Sequence, residues 1–460
     1  MATGHNSDRD QVKLGETARH GSVVIPHLPL FDALSGLRST PPRVLEGNSL
    51  ETLQGLQPQS VHCCTTSPPY YALRDYGVPP SPWPEVTYRR MLGTPEITLP
   101  PQTCCLGLEQ EPASYIGHLV AVFRQVRRVL QDDGTCWIVI GDSYCNTNGY
   151  ARCKGQYHRA GRDNAPANDR DLSALHSCGY KTKDLLGIPW LLALALQADG
   201  WYLRGEAIWS KPNPMPETVF DRCSRAHENV FLFTKCERYY FDSVAVEEPA
   251  APGREDGLIS RCSKRLRSVW TIPTCSCQGD HFAVFPPDLA ALPILAGTSA
   301  AGCCPACGAG WKRIVDSQST VGWRPGCACY GLPLVGDPPR RPKRGKGESN
   351  AAYAGRVRGW LNKSARWHAE WARLEPTYAV SPRTPAVVID PFAGAGTTGQ
   401  VATHLGRRAI LCELQPDYAR LIKKRCAEPP KLCLSQASRA TAIRRGEHVG
   451  GEGASHPVPL

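Results

Sequence analysis

No stretch of this sequence is long and apolar enough to cross a bilayer. That excludes a membrane-spanning helix. The first thirty residues are polar and contain no continuous apolar run of the kind a secretory signal needs, so the expected compartment is the reducing cytoplasm. No internal repeat is visible, which argues against a solenoid or array. Under reducing conditions the 21 cysteines of the 460-residue chain point to metal or to chance more often than to disulfides.

What is present points elsewhere. Hydrophobic residues make up 42% of the chain, enough for a sizeable core, while 42 Gly and 41 Pro predict many loops. A length of 460 residues implies two domains, or one enlarged by insertions. The formal charge of +11 suits an anionic partner but does not separate DNA from RNA or a membrane surface.

Along the chain, residues 1–42 read as a flexible arm, followed by a short strand and turn over Val44–Asn48 and a short helix from Ser49. An extended run from Ser60 to Thr66 breaks at Ser67-Pro68-Pro69, and Tyr70 and Tyr71 follow. Two prolines cannot continue a central ladder, because neither donates an N–H. Residues 72–112 show little periodicity and read as a loop. Ile116, Leu119, Val120, Phe123 and Val126 then mark an amphipathic helix, and Thr135–Ile140 a buried strand. Residues 144–183 are a long polar loop, and Tyr202–Trp209 with Asn229–Thr234 form a strand pair at a sheet edge. Residues 243–345 lose regular periodicity, and 351–375 suggest one helix. Ala386–Asp390 is a buried strand, Pro391–Thr398 a Gly-rich turn, Arg408–Glu413 a second strand, and the tail after 428 is disordered in composition.

Strand, Asp390 turn, helix, strand and Glu413 make one βαβ unit. Its glycines let backbone approach a ligand, and an acid at the end of the next strand suits two ribose hydroxyls. The turn lacks the third Gly of a dinucleotide fingerprint and the Lys of a phosphate-binding loop. A nucleoside without a phosphate chain is therefore the favoured ligand, a purely structural turn the alternative. Taken alone, Ser67-Pro68-Pro69-Tyr70 is more simply an ordinary Pro-rich turn.

A second constellation is Cys304-Pro-Ala-Cys307 with Cys327-Ala-Cys329. Four thiolates in two close pairs suit tetrahedral zinc. Cys303, beside Cys304, leaves the ligand choice open, and free cysteines are the alternative. Cys275 and Cys277 read as incidental, and His227 and His281 as structural. The basic run Arg340–Lys346 reads as a solvated loop, or as phosphate contacts in a DNA enzyme.

Thr66-Ser67-Pro68-Pro69-Tyr70, followed later by Asp390-Pro391-Phe392-Ala393-Gly394-Ala395-Gly396-Thr397-Thr398, resembles the amino-group DNA methyltransferases of the beta arrangement. The resemblance spans about residues 43 to 426 and includes Gly141-Asp142-Ser143 and Ala226-His227-Glu228. It implies an α/β, Rossmann-like, S-adenosylmethionine-dependent methyltransferase with circularly ordered motifs and a Cys-rich insertion. Its parts would be a catalytic half at 43–242, a Cys-rich, basic target-recognition segment at 243–379, a cofactor half at 380–427 and a tail at 428–460. Ser67, Pro68, Pro69 and Tyr70 would grip the base amine. Asp390, Pro391, Phe392, Ala393, Gly394, Gly396, Thr397 and Thr398 would hold the methionine part of S-adenosylmethionine, Glu413 its ribose, and Asn48 would sit by its adenine. The implied substrate is double-stranded DNA, with a cognate restriction nuclease as an unproven partner. Ser at position 67 matches the cytosine-N4 pattern, although Thr65 stands where that pattern carries an aliphatic residue. Adenine N6 is the alternative, and a catalytically inactive, zinc-dependent DNA-binding protein a further one. RNA methylation is set aside only by the resemblance.

Overall fold

The computed structural model describes residues 40–146, 151–152, 172–217, 219–249, 263–275, 286–316, 319–329, 331, 333–430 and 432. The N-terminal arm up to residue 39, most of the polar loop after 146, Cys277, His281 and the tail from 433 lie outside them.

The main elements in chain order are β1 (Arg43–Glu46), α1 (Ser49–Gln54), β2 (Val61–Thr66), α2 (Pro112–Val129), β3 (Leu130–Ile140), α3 (Ile188–Ala198), β4 (Tyr202–Ser210) and β5 (His227–Thr234). After them come β6 (Val269–Thr271), α4 (Pro287–Gly297), α5 (Asn350–Ala379), β7 (Val387–Asp390), α6 (Thr397–His404), β8 (Arg408–Glu413) and α7 (Pro416–Arg425). The strands form one eight-stranded sheet in the order β1-β8-β7-β2-β3-β5-β4-β6. It is parallel from β1 to β3. β5 runs antiparallel to β3 and β4, and β6 runs parallel to β4. This is the doubly wound α/β class that the motifs implied.

Every residue of β7 is buried, as is all of β2 except His62, because helices cover both faces. On one face α1, α2 and α3 bring Leu53, Leu119, Phe123 and Leu192 against the sheet. On the other, α4, α6 and α7 bring Leu289, Ile294, Val401 and Ile422. The adjacent strands β7 and β2 connect outward in opposite directions, to β8 and to β3. Their carboxyl ends therefore bound a topological switch point, where open α/β sheets bind ligands.

Three sequence expectations change. Residues 72–112 contain a small hairpin, Val86–Arg89 with Glu96–Leu99, enclosed by an antiparallel pair, Ser81–Trp83 with Gln102–Cys104. Strands of three or four residues show too few alternations to be read. The β4–β5 pair is not at the sheet edge, because β6 adds beyond β4. Most importantly, α4 lies inside the segment read as an insertion, yet all its residues are buried against the sheet. A helix that is apolar all round has no polar face, so it shows no helical period.

Beyond α4 the chain builds a separate small core. α5 sets Trp367, Trp371, Leu374 and Tyr378 at helical spacing against Trp311 and Ile314. The hairpin Lys312–Asp316 with Ser319–Arg324 completes it. This unit leaves and rejoins the main fold at one point: Cys303 N–H donates to the Thr384 carbonyl at 2.7 Å, and Thr384 N–H returns to the Cys303 carbonyl at 2.9 Å.

Gly297 ends α4 where it meets the sheet. A Cβ there would stand 2.3 Å from Thr135 Oγ1 and 3.0 Å from Cys63 Sγ. Gly297→Ala should therefore cost about 1–3 kcal/mol. Gly359→Ala, where a Cβ meets nothing within 4 Å, should gain roughly 0.5–1 kcal/mol from helix propensity. Thermal melts of the two variants would show this contrast, and a Gly297→Ala protein melting with the wild type would refute the close approach.

Candidate active site

The switch point is held by side chains from both motifs. Register pairing of Ile389 with Cys64 sets Asp390 beside the end of β2. Thr66 Oγ1 donates to Asp390 Oδ1 at 2.6 Å, and Phe392 N–H donates to the same oxygen at 3.0 Å. Thr398 Oγ1 donates back to the Thr65 carbonyl at 3.2 Å. Burial pushes the Asp390 carboxyl up to about 6, opposed by hydrogen bonds led by that from Thr66.

The two glycines of the turn have different tasks. Gly394 (φ +51°) faces open space, since a Cβ there would meet nothing within 4 Å. Gly396 (φ +82°) is packed, and its Cβ would lie 2.8 Å from Ile422. Glu413 closes the turn by accepting from Gly394 N–H at 2.7 Å and Gln415 N–H at 2.9 Å. Burial pushes Glu413 up to about 7, with those backbone bonds pulling the other way. Gly47 N–H donates to the Glu413 carbonyl at 2.9 Å, and Ser49 Oγ to the Pro391 carbonyl at 2.5 Å. The Asn48 side-chain oxygen caps α1 through Leu50 N–H at 2.8 Å, which leaves its NH₂ as the group open to a ligand. Thr397 Oγ1, at the start of α6, is buried without a hydrogen-bond partner among the described residues. Hydrogen bonds thus gather residues 47–49, 391–394 and 413 at adjacent strand ends, and the unpartnered Thr397 hydroxyl and open Gly394 beside them suit a polar ligand.

Across the strand junction stands the Ser67–Tyr70 turn. Ser67 is partly exposed, and no described group donates to the Pro68 carbonyl. The Pro69 carbonyl accepts from Tyr115 Oη at 2.8 Å. Gly141 leaves room for the Tyr70 ring, since a Cβ there would lie 2.6 Å from Tyr70 Cε2. Gly107 backs the same turn, 3.0 Å from the Tyr70 carbonyl by the same measure. Tyr70 Oη donates to the Glu228 carboxylate, which also accepts from Lys211 Nζ. Burial first, and Glu228 second, hold the Tyr70 hydroxyl well above the ordinary tyrosine range. Lys211 Nζ lies 4.5 Å from the centre of the Trp209 ring. Glu228 and Lys211 received no role from the sequence. They meet Tyr70 only because β4 pairs with β5, in a register that sets Trp209 opposite Glu228. His227, singled out in the sequence, is exposed.

Beneath this turn is a buried polar brace. His118 Nδ1 lies 2.8 Å from Glu109 and its Nε2 2.9 Å from Gln102, with Trp83 stacked at 4.4 Å. Cys104 is close enough to complete a three-donor group. Both imidazole nitrogens are engaged within the protein, so the group reads as a brace.

The donor atoms of Cys304, Cys307, Cys327 and Cys329 all lie within 4.8 Å of one another. Gly308 N–H donates to the Cys304 carbonyl at 2.8 Å, closing the knuckle turn. At Cys304 burial works upward, but hydrogen bonds led by the N–H groups of Cys307 and Ala306 prevail and bring the thiol to about 7. Cys303 is excluded from the group. It is buried, its backbone bridges to Thr384, and burial drives its thiol up to about 12.

Residues 61–303 and 381–424 match the family model described as DNA methylase. The chain is 39% identical over 404 residues to the Type II methyltransferase M.SmaI of Serratia marcescens, covering 87% of this chain and 96% of that protein. It is 43% identical over 246 residues to the Type II methyltransferase M.XycI of Xanthomonas campestris pv. cyanopsidis, covering 54% of this chain and 69% of that protein. Among solved structures it is similar to the PvuII DNA methyltransferase (cytosine-N4-specific), with 15% identity and a TM-score of 0.43 over 93% of this chain and 98% of that one. The family match breaks between 303 and 381, the interval that contains the four clustered cysteines and α5.

The Asp390 carboxyl gives a signed pH test. Its folded value of about 6 lies above the ordinary 3.8. The folded state therefore keeps a proton that the unfolded chain has released, and stability from this group falls as pH rises through that window. Asp390→Asn removes the titration, so the variant should gain on the wild type between about pH 4 and pH 7. The gain is about 1.4 kcal/mol for every tenfold difference in proton affinity between the folded and unfolded carboxyl. Chemical denaturation of both proteins across that range reads the difference, and a pH-independent gap would mean that Asp390 is ionised throughout.

Proposed function

Because the chain belongs to the DNA methylase family of N6 and N4 enzymes, we propose that it methylates the N4 amine of cytosine in duplex DNA, using S-adenosylmethionine. The observation that carries this reading is the pairing of an open Gly394 turn with Ser67 and an undonated Pro68 carbonyl at adjacent strand ends. When bound, S-adenosylmethionine supplies an electrophilic methyl, whose bond to sulfur breaks with its electron pair left on sulfur.

The chain's residues supply position. The Gly394 turn and the Thr397 hydroxyl take the methionine part. Glu413 has lone pairs left for ribose hydroxyls after its two backbone bonds. Asn48 offers its side-chain NH₂ toward the adenine. Asp390, bonded to Thr66 and Phe392, holds the turn in place. The target base must leave the duplex to reach Ser67. Its amine is a poor nucleophile, because the lone pair is delocalised into the ring. Ser67 Oγ and the Pro68 carbonyl accept the amine hydrogens and localise that pair toward the methyl. Tyr70 stacks on the base, and orientation supplies much of the acceleration. Ser rather than Asp at position 67 supports cytosine over adenine. A cognate restriction nuclease is the counterpart this reading expects, and a reducing cytoplasm its setting.

Nucleoside-resolved mass spectrometry of DNA modified in vitro tests the proposal: N4-methylcytosine is the expected product, and N6-methyladenine alone would overturn it. Ser67→Ala should lower turnover by on the order of a hundredfold with little change in cofactor affinity, as calorimetry beside activity would show.

We also infer that Cys304, Cys307, Cys327 and Cys329 hold one structural zinc ion. Four close sulfur donors on two tight turns fit a closed tetrahedral site. Metal analysis of the purified protein should find one zinc per chain, lost with Cys307→Ser, and a metal-free wild type would refute the site.

A further inference from the structure

Methyl transfer leaves the target nitrogen with one proton too many, and the residues assigned above do not account for its departure. We propose that Ser67, Tyr70 and Glu228 form a proton exit line, in which Glu228 is a positioning residue that receives the proton through Tyr70. The proposal rests on the methyltransferase reading.

Three observations carry it. The donors all point one way: Ser67 Oγ toward Tyr70 Oη at 3.4 Å, and Tyr70 Oη into the Glu228 carboxylate. Ser67 keeps its lone pairs free on the side that takes the base amine. The 3.4 Å step is long for a hydroxyl pair, and such contacts commonly tighten when substrate seats. Next, the line ends on a charged pair. Lys211 holds the second oxygen of Glu228 and rests on Trp209. A buried tyrosine hydroxyl needs only a neutral acceptor to be satisfied, so a carboxylate fixed by an ammonium is more than packing requires. Finally, the pair has an outlet. The side chains of Glu228 and Lys211 are 14% and 19% exposed, so water reaches the end of the line.

The step balances. The amine lone pair forms the bond to the methyl carbon, and one N–H bond breaks. That proton passes to Ser67 Oγ as the Ser67 proton moves to Tyr70 Oη and the Tyr70 proton to Glu228. Both hydroxyls finish with one proton each, Glu228 finishes neutral, and the positive charge on the nitrogen is gone. Water then takes the proton from Glu228.

The test is single-turnover transfer of radiolabelled methyl groups to duplex DNA in H₂O and in D₂O, with separate binding measurements for S-adenosylmethionine and DNA. Tyr70→Phe keeps the stacking ring and cuts the line, and Glu228→Gln keeps the shape and removes the acceptor. Both variants should bind their ligands within a few-fold of wild type yet transfer methyl about a hundredfold more slowly. The solvent isotope effect of the wild type should vanish in Tyr70→Phe. A Tyr70→Phe enzyme with wild-type rate and isotope effect would overturn the line, as would a Glu228→Gln rate loss matched by an equal loss of ligand affinity. If Glu228→Gln fails to fold, Tyr70→Phe decides alone. A wild-type protein that transfers no methyl to DNA would instead sink the parent reading, and the line with it.

Discussion

The hydrogen bond from Thr66 to Asp390 joins the ends of two strands that stand 324 positions apart in the chain. The rest of the site depends on it. β2 delivers the Ser67 turn and β7 delivers the glycine turn, and neither strand end has a use without the other. Asp390 is buried at the junction, where the protein raises its proton affinity rather than giving it a cationic partner. Glu413 repeats the arrangement one strand away, with its oxygens on backbone N–H groups. Two acids that look like ligand contacts in a sequence are thus also the fasteners of the turns that carry them.

This double duty explains what could be read from the sequence and what could not. β7 and β8 were legible as buried apolar runs, and α2 as a 3.6-residue period with its basic residues outward. The Ser67 and Gly394 turns were legible because proline and glycine punctuate the chain. α4 was not, since burial on every side erases the period by which a helix is recognised. The role of Glu228 was hidden for another reason. Nothing in Ala226-His227-Glu228 says which residue faces Tyr70, because strand pairing decides that. The neighbouring thiols of Cys303 and Cys304 likewise part company only in the fold, since Cys304 joins the cysteine group and Cys303 does not.

The chemistry assigned to the site is mostly geometric. The sulfonium methyl needs no activation by a strong base, so the residues around the base hold, shape and drain rather than attack. Small residues do much of that work. Gly141 and Gly107 admit the Tyr70 turn closely enough to fix its ring, and the His118–Glu109 brace stiffens the layer beneath. Both roles proposed for Tyr70, its hydroxyl as a wire and its ring as a platform, depend on that rigidity.

The paired bonds between Cys303 and Thr384 set the entrance and the exit of a whole unit side by side. A segment whose ends are tied together in this way can vary in length at its far side without moving the strands it interrupts. The family match is silent across that interval and resumes on its far side. In evolutionary terms the methyl-transfer machine is the constant part, and the cysteine-bearing unit is a cassette whose chain ends meet at Cys303 and Thr384 and whose flank is held to the main fold by Arg313 on Asp242 and by the Gly308 carbonyl beside His62. Lineages sharing the sheet could diverge there freely, each keeping the reaction and changing what the cassette touches.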